Sequence, residues 1–346
     1  LSKIELLILL PLAVLGGMVI GAIPGLTSTM AVGVLLPFTL FLDPLTGVLI
    51  LVGIGKGSLF GGSISAILMN VPGTPAAACT VIDGYPLAQK GQAGRAIETA
   101  LWASFIGDLM SVVALVLLAG WLASFGQKFG PKEFFALILL SLTVIAALSQ
   151  SGLLRGICGG MLGLLLGTVG LDLVNATPRF VFGSDNLAEG IPFLPLLIGL
   201  FALPDIIEHY MSKARDLKPH VIDKTRYTRA DFRKTLPTIL KGSAIGITMG
   251  AIPGIGATAS TFISYAEAKR SSPDRAEFGK GALSGVAAAE SANSGTKAAT
   301  LIPLLALGVP GDVITAILLG AFYFHGLTPG PLLFQQNLPF IHALYI

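Results

Sequence analysis

Apolar residues run along this chain in long blocks. Uninterrupted stretches occupy residues 99–124, 133–149 and 152–173, and shorter or broken ones occupy 4–20, 26–42, 46–69, 191–207, 238–250 and 298–324. Each approaches the roughly 20 apolar residues that cross a bilayer as a helix. One or two such blocks would fit the core of a soluble domain. Nine predict an all-α polytopic membrane protein.

Composition agrees. Of the 346 residues 53% are hydrophobic and 12% charged, and the mean hydropathy is +0.81. Soluble domains carry about 25% charged residues, roughly twice as many. Cys79 and Cys158 stand alone in apolar surroundings, without the spacing of a metal site or disulfide framework. The chain starts at Leu1 and stops inside an apolar stretch at Ile346, so it is expected to be part of a longer protein.

Basic residues in short loops tend to stay cytoplasmic. Nine of the 22 fall between His209 and Lys241: Lys213, Arg215, Lys218, Lys224, Arg226, Arg229, Arg233, Lys234 and Lys241. Interspersed acids (Asp216, Asp223, Asp231) make this a solvated cytoplasmic loop and not a nucleic-acid surface. The same rule places the loops at Lys90 and Arg95, at Lys128 and Lys132, and at Lys269 to Lys280 inside.

A pentapeptide occurs twice, as Gly21-Ala22-Ile23-Pro24-Gly25 and as Gly250-Ala251-Ile252-Pro253-Gly254. Hydroxyl residues follow each copy. Downstream, Val71-Pro72-Gly73 is answered by Val309-Pro310-Gly311. Two motifs in one order at similar separation point to internal duplication. The turn after the first pentapeptide helix, Phe41-Leu42-Asp43-Pro44, has no base, whereas its counterpart carries Lys269, Arg270, Arg275 and Lys280. After the Val-Pro-Gly elements the bias reverses: Lys90 and Arg95 follow the first, none follows the second at 325–329. Equivalent loops on opposite sides predict two inverted-topology repeats. The expected organisation is a first repeat over 1–125, connecting helices and a basic loop over 126–235, and an inverted, C-terminally incomplete repeat over 236–346.

Proline inside a helix removes a donor and clashes with the preceding turn. Freed backbone groups at membrane depth must face protein or a wet cavity. The Pro-Gly breaks therefore predict broken helices or re-entrant hairpins whose N-termini point inward and favour anions. Candidate substrate-binding residues are Gly25, Thr27, Ser28, Asn70, Pro72, Gly73, Thr74, Pro75, Gly254, Thr258, Ser291, Asn293 and Gly311. Close helix packing through small residues is the alternative use of these glycines.

Ionisable groups within spans are functional candidates by default. Lys56 and Lys297 occupy roughly equivalent places, 16 and 13 residues before Pro72 and Pro310. They are candidates to neutralise substrate carboxylates. A structural pair of Lys297 with Glu290, about two turns away, is the alternative. Asp108 and Glu290 are candidate coupling-ion groups, with Na⁺ or H⁺ left open. Arg155 and Arg179 sit near segment ends, where snorkelling explains them.

The segment Gly61-Gly62-Ser63-Ile64-Ser65-Ala66-Ile67-Leu68-Met69-Asn70-Val71-Pro72-Gly73-Thr74-Pro75, with Asp83-Gly84-Tyr85-Pro86 and Lys90-Gly91-Gln92-Ala93-Gly94-Arg95, resembles the large membrane subunit of tripartite tricarboxylate transporters, the TctA family. Glu277-Phe278-Gly279-Lys280-Gly281, Glu290-Ser291-Ala292-Asn293 and His325-Gly326-Leu327-Thr328-Pro329-Gly330-Pro331 fit the same family. The resemblance implies a multi-pass permease of the bacterial inner membrane, working with a small membrane subunit and a periplasmic solute-binding protein. It implies ion-gradient-driven uptake of di- or tricarboxylates or related organic acids, without an organic cofactor. It places the substrate and ion region around Gly25, Asn70–Pro75, Gly254 and Glu290–Asn293. The chain departs from the family at Lys56, at Ala289 and at Ser294-Gly295-Thr296-Lys297. A homo-oligomer is compatible with this class.

Two rival classes are an anion channel and a membrane-embedded enzyme. No HExxH motif occurs, and His209, His220, His325 and His342 are scattered. The expected function is a secondary transporter working by alternating access, not an enzyme.

Overall fold

A computed structural model describes residues 3–147, 152–172, 177–211 and 225–345. The described chain is mostly helical. The first half runs through α1 (Lys3–Ala22), α2 (Ser28–Thr39), α3 (Pro44–Met69), α4 (Ala77–Gln89) and α5 (Ala93–Gly126). The middle holds α6 (Pro131–Ala147), α7 (Leu153–Gly167), a minimal ribbon of β1 (Gly170–Leu171) against β2 (Pro178–Arg179), α8 (Asp185–Ala188), α9 (Phe193–Leu197) and α10 (Leu203–Met211). A π-helical turn at Ile198–Ala202 joins α9 to α10. The second half contains α11 (Arg229–Gly250), α12 (Gly256–Ser271), α13 (Leu283–Ala299), α14 (Leu301–Leu307), α15 (Val313–Phe324), α16 (Leu333–Gln336) and α17 (Leu338–Leu344).

Several predicted blocks are subdivided. Block 298–324 becomes the end of α13, α14 and α15. Pro303 has no N–H, and its ring crowds the carbonyl four residues back at Ala299, where α13 ends. Block 191–207 becomes α9, the π turn and α10, and block 152–173 is helical only to Gly167. Residues 148–149 and 173 of the predicted blocks, and 212–224 of the basic stretch, lie outside the described residues.

Two described helices are long and apolar enough to cross a membrane, α3 and α5. Their surroundings differ: 72% of the apolar window of α3 is buried against 22% for α5. α3 is thus a central helix, flanked by α1, α2 and α4. α5 turns Leu109, Val113, Leu117 and Trp121 outward while its glycine and alanine face packs on α13. A stripe of large apolar side chains this long suits lipid and not water. The main core lies where both halves meet, with Val32, Leu36 and Leu51 of the first against Ile302, Leu305, Ile317 and Phe322 of the second.

The halves pack in parallel ways. α1 lies along α3 as α11 lies along α13. A Cβ on Gly21 would fall 1.9 Å from the Ser58 carbonyl oxygen, and one on the equivalent Gly250 would fall 2.7 Å from that of Thr296. Glycine is required at both crossings by space.

Loop positions carry topological information. Lys90 Nζ donates to the Lys280 carbonyl at 2.5 Å, Arg95 pairs with Asp231 at 2.5 Å, and Lys234 pairs with Asp274 at 2.9 Å. The loop after α4 therefore meets the loop after α12 and the start of α11. The base-free turns also meet: His325 Nε2, after α15, stands 2.9 Å from where a Cβ on Gly47 would lie, beside Thr39 at the end of α2. One expectation fails. α5 is an unbroken 34-residue helix, about 50 Å long. Arg95 at its start and Lys128 just beyond its end therefore cannot share a face, and only the Lys90–Arg95 loop joins the basic cluster.

Candidate functional site

The repeated motifs fold alike. Gly25 and Gly254 both adopt left-handed backbone, with φ of 88° and 86°. Such a turn strongly favours glycine, and each releases the chain from a long helix into the start of another. The residue before each Val-Pro-Gly is also left-handed, Asn70 at 57° and Gly308 at 73°, closing α3 and α14. Asparagine tolerates this conformation better than most side chains. Gly73 N–H donates to Gly62 O at 3.3 Å, and Gly254 N–H donates to Gly311 O at 3.0 Å, tying the breaks to neighbouring backbone.

These turns aim four helix N-termini at one place. Thr27 caps α2, accepting the Met30 N–H at 3.1 Å. Thr74 accepts the Ala77 N–H at 3.2 Å at the start of α4. Asp312 caps α15 through Thr315 N–H at 2.8 Å. No side chain caps α12. Between the four ends lies a cavity of about 480 Å³, within the ordinary size of small-ligand sites. Thr27, Ser28, Thr74, Pro75, Gly254, Thr258 and Lys297 line it, together with Leu59, Phe201, Asp312, Val313 and Ile314. Ser28 is 2% exposed, and its Oγ has no hydrogen-bond partner. Each N-terminus carries about half a positive charge and unpaired N–H groups. Helix N-termini are physically suited to anions.

The charged candidates separate. Lys297 Nζ lies 3.4 Å from Asp312 Oδ2, with both side chains largely buried. The alternative pairing with Glu290 is not formed. Lys56 pairs with Asp108 at 2.9 Å and lines a small adjoining recess of about 30 Å³, which Lys297 and Asp312 also border. Lys56 is therefore not the counterpart of Lys297. The residue 13 before Pro72 is Leu59, and it lines the main cavity. The three-residue offset of Lys56, nearly one turn, takes it off that wall.

Glu290 is fully buried outside the cavity. Thr80 Oγ1 donates to one carboxylate oxygen and Ser104 Oγ to the other, at 3.2 Å for the latter, and Asn293 adds a further hydrogen bond. α4, α5 and α13 thus converge on it, and among the described residues it has no ion-pair partner. Asn293 is 2% exposed with an unpartnered Oδ1. Ser291 faces helix packing instead: a Cβ on Gly242 would strike its Oγ, and one on Gly107 its carbonyl oxygen. Gly25, Asn70, Pro72, Gly73 and Gly311 shape the turns without lining the cavity. Among the lining residues that sequence reasoning missed, Asp312 is the charged one, and Leu59, Phe201, Val313 and Ile314 are apolar. Asp312 was findable, because it stands three places after Val309 as Thr74 stands three after Val71.

A mostly helical chain with long apolar outward faces and broken helices is suited to a membrane. The tripartite tricarboxylate transporter TctA family matches it over residues 7–346, and the chain belongs to that family. It is similar to an uncharacterized 52.8 kDa protein in the TAR-I ttuC' 3' region of Agrobacterium vitis, 39% identical over 319 residues. That match covers 92% of this chain and 64% of the relative, so the chain spans just under two thirds of that protein's length. A second similar protein, from the TAR-II ttuC' 3' region of the same organism, is 45% identical over 86 residues, 25% of this chain and 36% of the relative. No solved structure matches.

Proposed function

We propose that this chain is the substrate-translocating subunit of a secondary carboxylate transporter in the bacterial inner membrane. It crosses the membrane several times as two inverted repeats and takes up organic acids, driven by an ion gradient. A periplasmic binding protein delivers the acid, and a small membrane subunit completes the permease. The observation that carries the reading is the meeting of four helix N-termini around one cavity that also holds Lys297 and the unpartnered Ser28 hydroxyl. The inverted arrangement is supported by the loops: the basic ones after α4 and α12 gather at the start of α11, and the base-free ones after α2 and α15 meet each other. Substrate binds between the halves, and alternating access exposes the cavity to each side in turn. Glu290 is the coupling group, a buried carboxylate surrounded by hydroxyl and amide groups. Asp108, held by Lys56, is the second candidate. The test is uptake of labelled carboxylates into proteoliposomes containing the whole permease loaded with its binding protein, under separate Na⁺ and pH gradients. Accumulation following one gradient supports the reading and identifies the coupling ion. Equilibration without accumulation or counterflow would mean a channel.

A further inference from the structure

The two halves contribute unequal walls to the cavity. Counting from each Val-Pro-Gly, Thr74 and Asp312 occupy the same position, and each caps the following helix by accepting the N–H three residues on. On the α4 side the cap is a neutral hydroxyl. On the α15 side it is a carboxylate. Asp312 uses Oδ1 on the helix end and Oδ2 on Lys297. The seat that a substrate carboxylate would take at that wall, on a helix N-terminus and beside a lysine, already holds the chain's own carboxylate. A second anion there would meet like charge at close range. The start of α12 adjoins it, with a Cβ on Gly256 falling 3.5 Å from the Asp312 Cβ, whereas the first half's wall, with the unpartnered Ser28 hydroxyl and Thr74, carries no negative group. Leu59, Phe201, Val313 and Ile314 add apolar lining to the same cavity.

We infer that Asp312 stands in for one substrate carboxylate, so that the site selects acids with a single carboxylate and an apolar body over acids of equal length with two or three carboxylates. The carboxylate sits at the α2 and α4 ends, and the apolar body extends towards the Lys297–Asp312 pair. This rests on the reading of the cavity as a carboxylate site and names the class of acid it takes.

The test is titration calorimetry of the full-length chain in lipid nanodiscs with hexanoate, hexanedioate and propane-1,2,3-tricarboxylate, for the native chain, D312T and D312N. D312T gives α15 the cap that α4 has, and D312N keeps the shape of the side chain. The reading is the ratio of affinities within each protein, so a general loss of binding cancels. The native chain is expected to favour hexanoate over hexanedioate by roughly tenfold or more, and both variants to shift that ratio towards hexanedioate by roughly tenfold as Lys297 is released. A native preference for the di- or tricarboxylate overturns the inference, as does an unchanged ratio in both variants, and either leaves the carboxylate site standing. Absence of binding by every acid to the native chain overturns both.

Discussion

The two copies of the repeated pattern share their backbone and differ in their charges. Gly25 and Gly254 turn the chain identically, and Asn70 and Gly308 end their helices in the same left-handed conformation. At three further equivalent positions the first copy has Val52, Leu59 and Thr74 where the second has Glu290, Lys297 and Asp312. Backbone geometry is set by where Gly and Pro stand, and both copies retain those. Chemistry is set by a few side chains projected from that scaffold, and only the second copy carries ionisable ones at these places. The repeated pattern thus supplies a cavity with two similar walls, one lined by charged side chains and the other by neutral ones.

The largest expected effect tests the shared scaffold. G21A would push a Cβ into the Ser58 backbone, and G250A into that of Thr296 less severely. Overpacking against rigid backbone should destabilise the first by about 3 kcal/mol and the second by about 1–2 kcal/mol. Thermal unfolding in detergent checks both, and the reverse order would mean that the two crossings are not built alike. The next test concerns Glu290, which has Val52 as its counterpart. E290Q is expected to lose gradient-driven accumulation while retaining counterflow, because the amide cannot carry the coupling charge. Full accumulation by E290Q would move coupling elsewhere, with Asp108 the next residue to neutralise.

A smaller effect separates the lysines. K297M should weaken carboxylate binding about tenfold, because it removes a cation at the cavity and leaves Asp312 unpaired. K56M acts on a residue held by Asp108 beside the small recess and should change binding by less than about threefold. Equal losses would put Lys56 on the cavity wall after all. The smallest effect lies at the basic loop cluster. The Arg95 guanidinium, with caps from Thr228, holds Asp231 down to about 2, below its ordinary 3.8. Asp231 lies in the first turn of α11, ahead of the apolar block 238–250. A lowered carboxylate stabilises the folded state above its unfolded value and loses that contribution as pH falls. Stability should therefore drop between about pH 4 and pH 2, and D231N should flatten that drop. Arg95 is about one third exposed, so the pair contributes on the order of 1 kcal/mol at most.

Much of the scaffold is written locally. Apolar blocks mark the helices, and the Pro-Gly pairs mark their breaks, because both depend on a residue and its near neighbours along the chain. The motif copies led to Ser28, Thr74, Gly254 and Thr258, and the charge within an apolar span to Lys297, and all five line the cavity. Ser291, six residues before Lys297, points into helix packing on another face of α13, and Asn293, one turn before Lys297 on the same face, is taken up by Glu290. Lys56 looked equivalent to Lys297, and three residues of offset moved it by nearly a turn.

The sequence by itself determined a helical, membrane-suited chain with a duplicated Gly-Pro plan and a family resemblance covering nearly its whole length. Tertiary structure alone decided that the four helix ends converge on one cavity, that Lys297 meets Asp312 and not Glu290, and that Thr80 and Ser104 hold Glu290 from helices some 200 positions away. Helix propensity and Pro-Gly breaks act over a few residues, so the chain records them in order. Ion pairs and shared cavities join residues far apart in sequence, and they exist only once packing has brought those helices together.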